Sequence, residues 1–246
     1  MTKFFVNPED VVGDQIYIKG SDVNHIKNVL RFPTGKEILI NDRQGHEYEC
    51  IIEEIDTEMV TVQIKNEVIN HTEPIVETVL FQSLIKGEKM EFVIQKAVEI
   101  GVTKIIPLIT TRCVVKLESG KKLTNKIERW QKIAESAAKQ SKRGIIPTIE
   151  LPLTIKEALE YVNDNLECAC IPYENEHAFH IKEYLRSLKT SSIGVLIGPE
   201  GGFTEEEVQF AMEKGVRPVT LGNRILRSET AGIVTLANIM YEMGDE

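Results

Sequence analysis

Two strand-and-glycine-loop units stand back to back in residues 192–231, and they constrain the fold more than any other stretch. The first passes from an apolar strand over 193–197 into the loop GPEGG at 198–202. The second passes from a short strand over 218–221 into GNR at 222–224. Glycine loops that follow parallel strands open at the carboxyl edge of a sheet, where α/β proteins bind ligands. This stretch therefore predicts a ligand crevice formed by two loops on neighbouring parallel strands.

The helix between the two loops has clear start and stop signals. Thr204 stands at the N-cap position, and Glu207 follows three residues later, as in a capping box. Phe203 and Val208 have the spacing of a hydrophobic staple. Gly215 supplies the stop. A helix that starts at 205 is the firmest local prediction for the chain.

The remainder of the chain divides at a linker over 70–74 into two patterns of elements. Before the linker, short strands predominate, which indicates a small β-barrel over 1–70. Its predicted elements are strands at 15–19, 36–41, 46–55 and 59–67 and a helix at 22–30 capped by Ser21. After the linker, strands and helices alternate, which is typical of an α/β domain with a mainly parallel sheet, here over 74–246.

The predicted elements of this second region follow from apolar periodicity. They are strands at 76–84, 104–109 and 168–171, and helices at 86–99, 124–140 (capped by Thr124), 155–163 and 178–188. A final helix from Glu229 is apolar on nearly all sides. Such a helix is expected to be buried inside the domain or against a second subunit.

The net charge of −9 argues against a protein that coats nucleic acid by bulk electrostatics. The charge is uneven, because residues 112–143 carry +7 while the rest of the chain carries −16. A basic face on an acidic chain suits contact with phosphates at one site, and the alternative is a solvated helix surface. No apolar run approaches the roughly 20 residues that span a bilayer, and no secretory signal is recognised. We therefore expect a cytoplasmic protein that makes no membrane contact.

Neither the cysteines nor the histidines have the spacing of a metal site. Cys50, Cys113, Cys168 and Cys170 are interpreted as small buried hydrophobic residues. The spacing of His177 and His180 would place two imidazoles on one helical face, but no third ligand stands near them, so they are interpreted as a solvated pair. No metal is predicted.

The glycine spacing excludes three common motifs. A P-loop would end in Gly-Lys-Ser/Thr, a dinucleotide fingerprint reads G-x-G-x-x-G, and a hydrolase elbow reads G-x-S-x-G. The remaining interpretation is a pocket in which backbone groups exposed by glycine meet a purine or a ribose. Arg224 and Arg227 on the second loop add charge. The residues alone thus indicate a nucleotide-like cofactor and leave the reaction undetermined.

Two motifs resemble a known family. IGPEGGF at 197–203 and LGNRILRSETA at 221–231 closely resemble the signature of the RsmE family. These are 16S ribosomal-RNA uracil-N3 methyltransferases of the SPOUT (trefoil-knot) superfamily. The resemblance extends over the chain, through KFFV at 3–6, KAVEIGV at 96–102 and ESAAKQSKR at 135–143. Lys3 departs from it, since the family more often has arginine there.

The resemblance implies an α/β fold with a C-terminal SPOUT methyltransferase domain over 74–246, knotted between Gly198 and Ala231, and a PUA-like RNA-binding β-barrel over 1–70. It also implies S-adenosylmethionine as cofactor, 16S rRNA of the small ribosomal subunit as substrate, and a homodimer. The residues expected to bind the cofactor are Ile197, Gly198, Glu200, Gly201, Gly202, Leu221, Gly222, Ile225 and Leu226. Those expected to bind RNA are Lys3, Arg31, Arg112, Gln140 and Arg143.

Methyl transfer to N3 of uracil sets two demands on such a site. Alignment of the displacement supplies much of the catalysis, and the anion left by the N3 proton spreads over two carbonyl oxygens that a cation stabilises. Arg227 is predicted for this role, the alternative being a salt bridge that holds the knot. Glu229 is a candidate proton acceptor, or else it caps the last helix. Because N3 lies on the pairing edge, the base must be unpaired or flipped.

Two other functions fit the same motifs. One is a SPOUT methyltransferase that acts on another RNA position. The other is a non-catalytic RNA-binding factor of ribosome assembly. The intact pair of glycine loops favours an enzyme, because a chain without a cofactor has no need of both.

Overall fold

The computed structural model describes residues 1–115 and 120–244, which form two compact units. The first unit contains residues 1–73 together with 138–146, and the second contains the other described residues. The linker predicted at 70–74 assigns 138–146 to the C-terminal domain, whereas the contacts of these residues group them with the first unit. Lys116 and Glu118, which belong to the basic segment, lie outside the described residues.

The first unit is built on a six-stranded sheet in the order β1-β4-β5-β6-β3-β2. Its elements are β1 (Lys3–Phe5), β2 (Val11–Val12), β3 (Gln15–Lys19), α1 (Ser21–Asn24), β4 (Glu37–Asn41), β5 (His46–Ile55) and β6 (Met59–Ile69). Strand β1 pairs in parallel with β4, and the other neighbours are antiparallel. Because side chains alternate along a strand, every second residue faces inward. The inward-facing residues form an apolar core of mostly β-branched side chains, including Ile16, Ile18, Ile38, Ile40, Val60 and Val62.

The helix predicted at 22–30 has a different start and a different winding. The α-helix α1 begins at Ser21 and continues as a π-helical turn over His25–Leu30. Its N-cap is Gly20, which has a φ of 71°, so the predicted cap at Ser21 is wrong. Glycine adopts this left-handed conformation at no steric cost, which serine does not. Arg31 ends the turn with a φ of 52°.

The second unit is an α/β structure whose recorded strand pairs are all parallel. Its strands are β7 (Glu77–Ser83), β8 (Lys104–Ile109), β9 (Thr148–Ile149), β10 (Leu153–Thr154), β11 (Cys168–Pro172), β12 (Ser192–Ile197) and β13 (Arg217–Val219). Its helices are α2 (Lys89–Ile100), α3 (Lys121–Gln140), α4 (Ile155–Asn165), α5 (Ile181–Ser187), α6 (Glu205–Glu213) and α7 (Ser228–Ile239). α3 runs on into residues of the first unit. The strand order is β10-β8-β7-β12-β11-β13, with β9 beside β8.

Two helix starts differ from the sequence prediction. The amides of Leu123 and Thr124 both bond to the carbonyl of Gly120, so α3 begins before Thr124 and the predicted cap there is wrong. His180 is the N-cap of α5, so His177 and His180 do not share a helical face. The Glu176 carboxylate accepts the amides of the two residues before His180, and these bonds hold a turn where a helix was predicted.

The helix α6 confirms its prediction. The Thr204 hydroxyl accepts the Glu207 amide at 3.2 Å, and the Glu207 carboxylate accepts the Thr204 amide at 2.9 Å. Phe203 and Val208 are both buried in the same core cluster. Gly215, with a φ of 83°, follows the helix end. Local signals sufficed here because every partner lies within a few residues.

The last helix is buried on one face. Gly232, Thr235, Leu236 and Ile239 of α7 are buried, and the helix packs on α2 and β12. Tyr241, in the π-helical turn Met240–Gly244 that follows, is 87% exposed. In the part of the chain that the structure describes, no helix has the length and apolar character to cross a membrane.

Candidate active site

The two glycine loops do not follow neighbouring strands, and that prediction was wrong. β12 leads into the first loop and β13 into the second, and β11 lies between these strands and pairs with both. Because the strands are parallel, their carboxyl ends still lie at one edge of the sheet. The segment that follows β11 therefore stands between the two loops.

Two adjoining cavities, of 380 and 290 Å³, open at this edge. The larger is lined by the first loop, the end of the second loop and the start of α7, and the smaller by the second loop and the segment after β11. Every residue predicted to bind the cofactor lines one of them. In the larger these are Ile197, Gly198, Glu200, Gly201, Gly202, Ile225 and Leu226, and in the smaller Leu221, Gly222, Ile225 and Leu226.

The first loop is held by other strand ends of the same sheet. Arg112, just after β8, donates hydrogen bonds of 2.9 and 3.1 Å to the carbonyl oxygens of Gly201 and Phe203. The Glu200 carboxylate accepts the amide of Lys86, just after β7, at 3.1 Å. Arg112 was predicted to bind RNA, and here its guanidinium fastens the wall of the larger cavity.

Two glycines of the first loop are required by its geometry. Gly202 has a φ of 68°, and a Cβ there would collide with the carboxylate of Glu174. A Cβ on Gly198 would lie 3.1 Å from the Phe203 ring and 3.2 Å from the backbone carbon of Gly202. The loop thus folds tightly on itself, which leaves backbone groups, not side chains, along the cavity.

The second loop presents charge and an exposed apolar side chain. Ile225 is 87% exposed, and Arg224 and Arg227 are also exposed. Arg227 lines the larger cavity, and no hydrogen bond or ion pair joins its guanidinium to any residue that the structure describes. The salt bridge considered for Arg227 is therefore absent within the described chain. Its charge remains available to a ligand.

Glu229, the other catalytic candidate, is already engaged. It lies in the first turn of α7 and forms an ion pair of 2.9 Å with Lys89, at the start of α2. Burial raises the pKa of the Glu229 carboxyl, but the hydrogen bond to Lys89, a backbone amide and the charges of Lys89 and Arg227 outweigh it. The pKa is lowered as a result. The group is an ionised carboxylate and a weak base.

Several cavity residues escaped the sequence analysis. Pro172 and Glu174 line both cavities, Tyr173 and His177 line the smaller one, and Lys89 lines the larger one. The segment 172–174 had a usable signal, since it follows a strand of the parallel sheet. The signal was missed because β13, not β11, was expected beside β12.

The RNA candidates of the first unit fall into two groups. Lys3 pairs with Glu47 and donates at 2.7 Å to the carbonyl of Lys142, and its side chain is 8% exposed. Arg143 pairs with Glu73, and its side chain is 3% exposed. A phosphate would have to displace these internal partners. Arg31 and Gln140 are exposed.

The cysteines and acidic groups form no metal centre in the described residues. Cys50 and Cys170 are buried, and Cys113 and Cys168 are partly buried. Burial raises the pKa of the Cys50 thiol to about 12, so it stays protonated.

Comparison with known proteins defines the class of this site. Residues 71–240 match the family of RNA methyltransferase domains, and residues 18–65 match the family of RNA methyltransferase PUA domains. The glycine-loop crevice therefore lies within an RNA methyltransferase domain. This confirms the predicted class, an α/β SPOUT methyltransferase with a PUA-like β-rich module.

The relatives narrow the class to one family. Ribosomal RNA small subunit methyltransferase E of Bacillus subtilis is 34% identical over 92% of this chain and 89% of its own length. The protein of that name from Mesomycoplasma hyopneumoniae is 33% identical over 98% of this chain and 100% of its own. A crystal structure of ribosomal RNA small subunit methyltransferase E from Neisseria gonorrhoeae, bound to S-adenosyl methionine, aligns with a TM-score of 0.86, 30% identity and coverage of 99% and 98%. The chain belongs to the ribosomal RNA small subunit methyltransferase E family.

Proposed function

We propose that this protein transfers the methyl group of S-adenosylmethionine to N3 of a uridine in 16S rRNA of the small ribosomal subunit. The observation that carries the proposal is the crevice between the two glycine loops, with the guanidinium of Arg227, which is unpaired within the described part of the chain, at its wall. Family membership supplies the RNA and the methyl donor, and the choice of uracil N3 rests on the resemblance of the two loop motifs.

The crevice suits S-adenosylmethionine by its shape and its donors. The two cavities share a wall made by Pro172, Glu174, Ile225, Leu226 and Ala231, which fits a bent ligand with two parts. The remaining lining of the larger cavity includes the three glycines of the first loop, Gly198, Gly201 and Gly202, whose backbone groups suit the hydrogen-bonding edge of a purine. We propose that the nine cofactor residues named from the sequence hold it there.

The chemistry that S-adenosylmethionine supplies is a methyl group on a positively charged sulfur. The chain then has to align the base and stabilise the anion that remains when N3 loses its proton to solvent. We assign that stabilisation to Arg227, because its guanidinium is exposed and unpaired among the described residues. Glu229 is assigned a supporting role, because its ionised carboxylate pairs with Lys89, which lines the larger cavity.

RNA contact is assigned to exposed groups. Arg31 and Gln140 meet this requirement on the first unit, and the exposed lysines of α3 add positive charge. Lys3 and Arg143 are reassigned to internal support of the first unit, because both are buried with acidic partners. An enzyme that modifies ribosomal RNA works where ribosomes are assembled, so we propose a cytoplasmic location.

We also propose that the protein works as a homodimer. Tyr241 is 87% exposed and Ile75 is 73% exposed, and the Ile75 amide bonds to the carbonyl of Gly244 in the turn that carries Tyr241. Large exposed apolar side chains on two segments that are hydrogen-bonded to each other are a suitable contact for a second copy. Sedimentation of the wild type and of Tyr241→Glu tests this, and a wild type that stays monomeric at micromolar concentration excludes it.

The function is tested by methyl transfer from labelled S-adenosylmethionine to small subunits from cells that lack this gene. Methylation at N3 blocks base pairing, so reverse transcription stops at the modified base. A single stop at a uridine of 16S rRNA is the expected result. A label at another nucleotide retains the methyltransferase and rejects uracil N3. Cofactor binding with no transfer to any rRNA would support a non-catalytic factor.

The role of Arg227 is tested by Arg227→Ala. We expect near-normal binding of S-adenosylmethionine and a rate reduced by about 10²–10³, the usual effect of losing one electrostatic stabiliser. Arg224→Ala is the matched control, because it removes an exposed guanidinium from the same loop at the smaller cavity. Loss of cofactor binding in Arg227→Ala alone would place Arg227 in the binding site and not in catalysis.

A further inference from the structure

A polar side chain lies in the centre of the apolar sheet. Gln82 of β7 is fully buried, and β7 is flanked on both sides by parallel strands. Its amide nitrogen donates to the Ser83 carbonyl at 3.1 Å and to the Ser228 hydroxyl at 2.9 Å. Its amide oxygen has no hydrogen-bond partner among the described residues. Burying half an amide without a partner is unfavourable, so an apolar residue would serve the core better.

The Ser228 hydroxyl connects three separate parts of the chain. Ser228 is the first residue of α7 and is 7% exposed. Its hydroxyl accepts the hydrogen bond from Gln82 and donates one to the carbonyl oxygen of Gly198. One hydroxyl thereby joins the end of β7, the first glycine loop and the helix that follows the second glycine loop.

The Gly198 carbonyl is a sensitive point of the first loop. Gly198 lines the larger cavity, and Pro199, which follows it, has no amide hydrogen. The peptide between them therefore has only its carbonyl to fix its orientation. The next turn is closed by the Gly202 amide bonding to the Pro199 carbonyl at 2.9 Å. The orientation of the Gly198 carbonyl thus sets where this turn begins.

We infer that Gln82 and Ser228 are positioning residues that hold the first glycine loop in its cofactor-binding conformation. Gln82 orients the Ser228 hydroxyl, and Ser228 holds the Gly198 carbonyl against α7. Gln82 does not line the larger cavity, and Ser228 lines it with its hydroxyl already bonded to Gln82 and to the Gly198 carbonyl, so both act through the loop. This inference rests on the proposed function, since it assumes that S-adenosylmethionine binds in this crevice.

The test compares Ser228→Ala, Gln82→Met and the double variant with the wild type by calorimetric titration of S-adenosylmethionine. One net hydrogen bond corresponds to about a two- to tenfold change in Kd. We expect the Kd for S-adenosylmethionine to rise by this factor in Ser228→Ala and by a smaller factor in Gln82→Met. The double variant should bind the cofactor no more weakly than Ser228→Ala. The kcat at saturating cofactor should stay within twofold, with the effect confined to KM.

Thr235→Val is the matched control. Thr235 lies on the same helix and is fully buried, but its hydroxyl donates to the Ala231 carbonyl within α7. If Thr235→Val weakens cofactor binding as much as Ser228→Ala does, the effect comes from losing any buried hydroxyl, and the inference is overturned. The inference is also overturned if the effects of Ser228→Ala and Gln82→Met on the free energy of cofactor binding add in the double variant. A wild type that fails to bind the cofactor would instead refute the proposed function.

Discussion

The guanidinium of Arg112 lies 2.9 Å from the carbonyl oxygen of Gly201, across the carboxyl edge of the parallel sheet. The Arg112 side chain also packs on Gly201, because a Cβ added to Gly201 would lie 3.4 Å from the Cβ of Arg112. The sequence placed Arg112 in a basic segment and predicted a phosphate contact. In the structure, the guanidinium of Arg112 binds the carbonyl oxygens of Gly201 and Phe203.

Arg112→Ala is therefore expected to weaken binding of S-adenosylmethionine about three- to tenfold in the absence of RNA, because the first loop loses its support from β8. Lys121→Ala, which removes an exposed charge from the same basic segment, should leave cofactor affinity unchanged. Calorimetric titration measures both. If Arg112→Ala leaves cofactor affinity unchanged and lowers RNA affinity as much as Lys121→Ala does, Arg112 is an RNA contact and does not support the loop.

Glu207→Ala is expected to destabilise the protein more than Glu157→Ala. Both residues close a capping box, but Glu207 is 7% exposed and also accepts the Thr111 amide at 2.8 Å, whereas Glu157 is exposed. Loss of the buried acceptor leaves two amides unsatisfied, so we expect about 2–3 kcal/mol against about 1 kcal/mol. Urea denaturation of the two variants measures the difference. Equal midpoints would show that the bond to Thr111 contributes nothing.

Glu73→Ala is expected to cost about 3 kcal/mol, because it leaves the Arg143 charge buried without its carboxylate. Glu73 also accepts the amides of Gly144 and Ile145 at 2.8 and 3.1 Å. The control is Glu242→Ala, whose partner Arg186 is 58% exposed, and which should cost less than about 1 kcal/mol. Thermal unfolding measures both variants. If Arg143 serves RNA and not the fold, Glu73→Ala will be as mild as the control.

His46 is expected to titrate above its ordinary pKa of 6.5. The hydrogen bond to Asp42 and then the charge of Asp42 raise the pKa of the imidazole. Because the folded-state pKa is the higher one, the pair stabilises the fold fully below pH 6.5, and this contribution disappears as the pH rises through the raised value. NMR titration of the His46 ring checks the shift. Asp42→Asn should return the pKa to its ordinary range, and an unchanged titration in that variant would refute the assignment.

Short-range chemistry made much of this fold predictable. The capping box of α6 depends on residues three apart, and the strands of the first unit follow from alternation of apolar side chains. The two loop motifs, 197–203 and 221–231, identified the family through their resemblance to its signature. Their nine cofactor candidates all line the cavities.

Tertiary structure decided what distant parts of the chain do to one another. It inserted β11 between β12 and β13, which brought Glu174 between the two loops. It buried Arg143 against Glu73, 70 residues away, and it brought Gln82 within hydrogen-bond distance of Ser228, 146 residues away. A charged or polar residue looks the same in sequence whether it meets solvent, RNA or a buried partner. Its partner depends on strand order and packing over long separations, which no local spacing encodes.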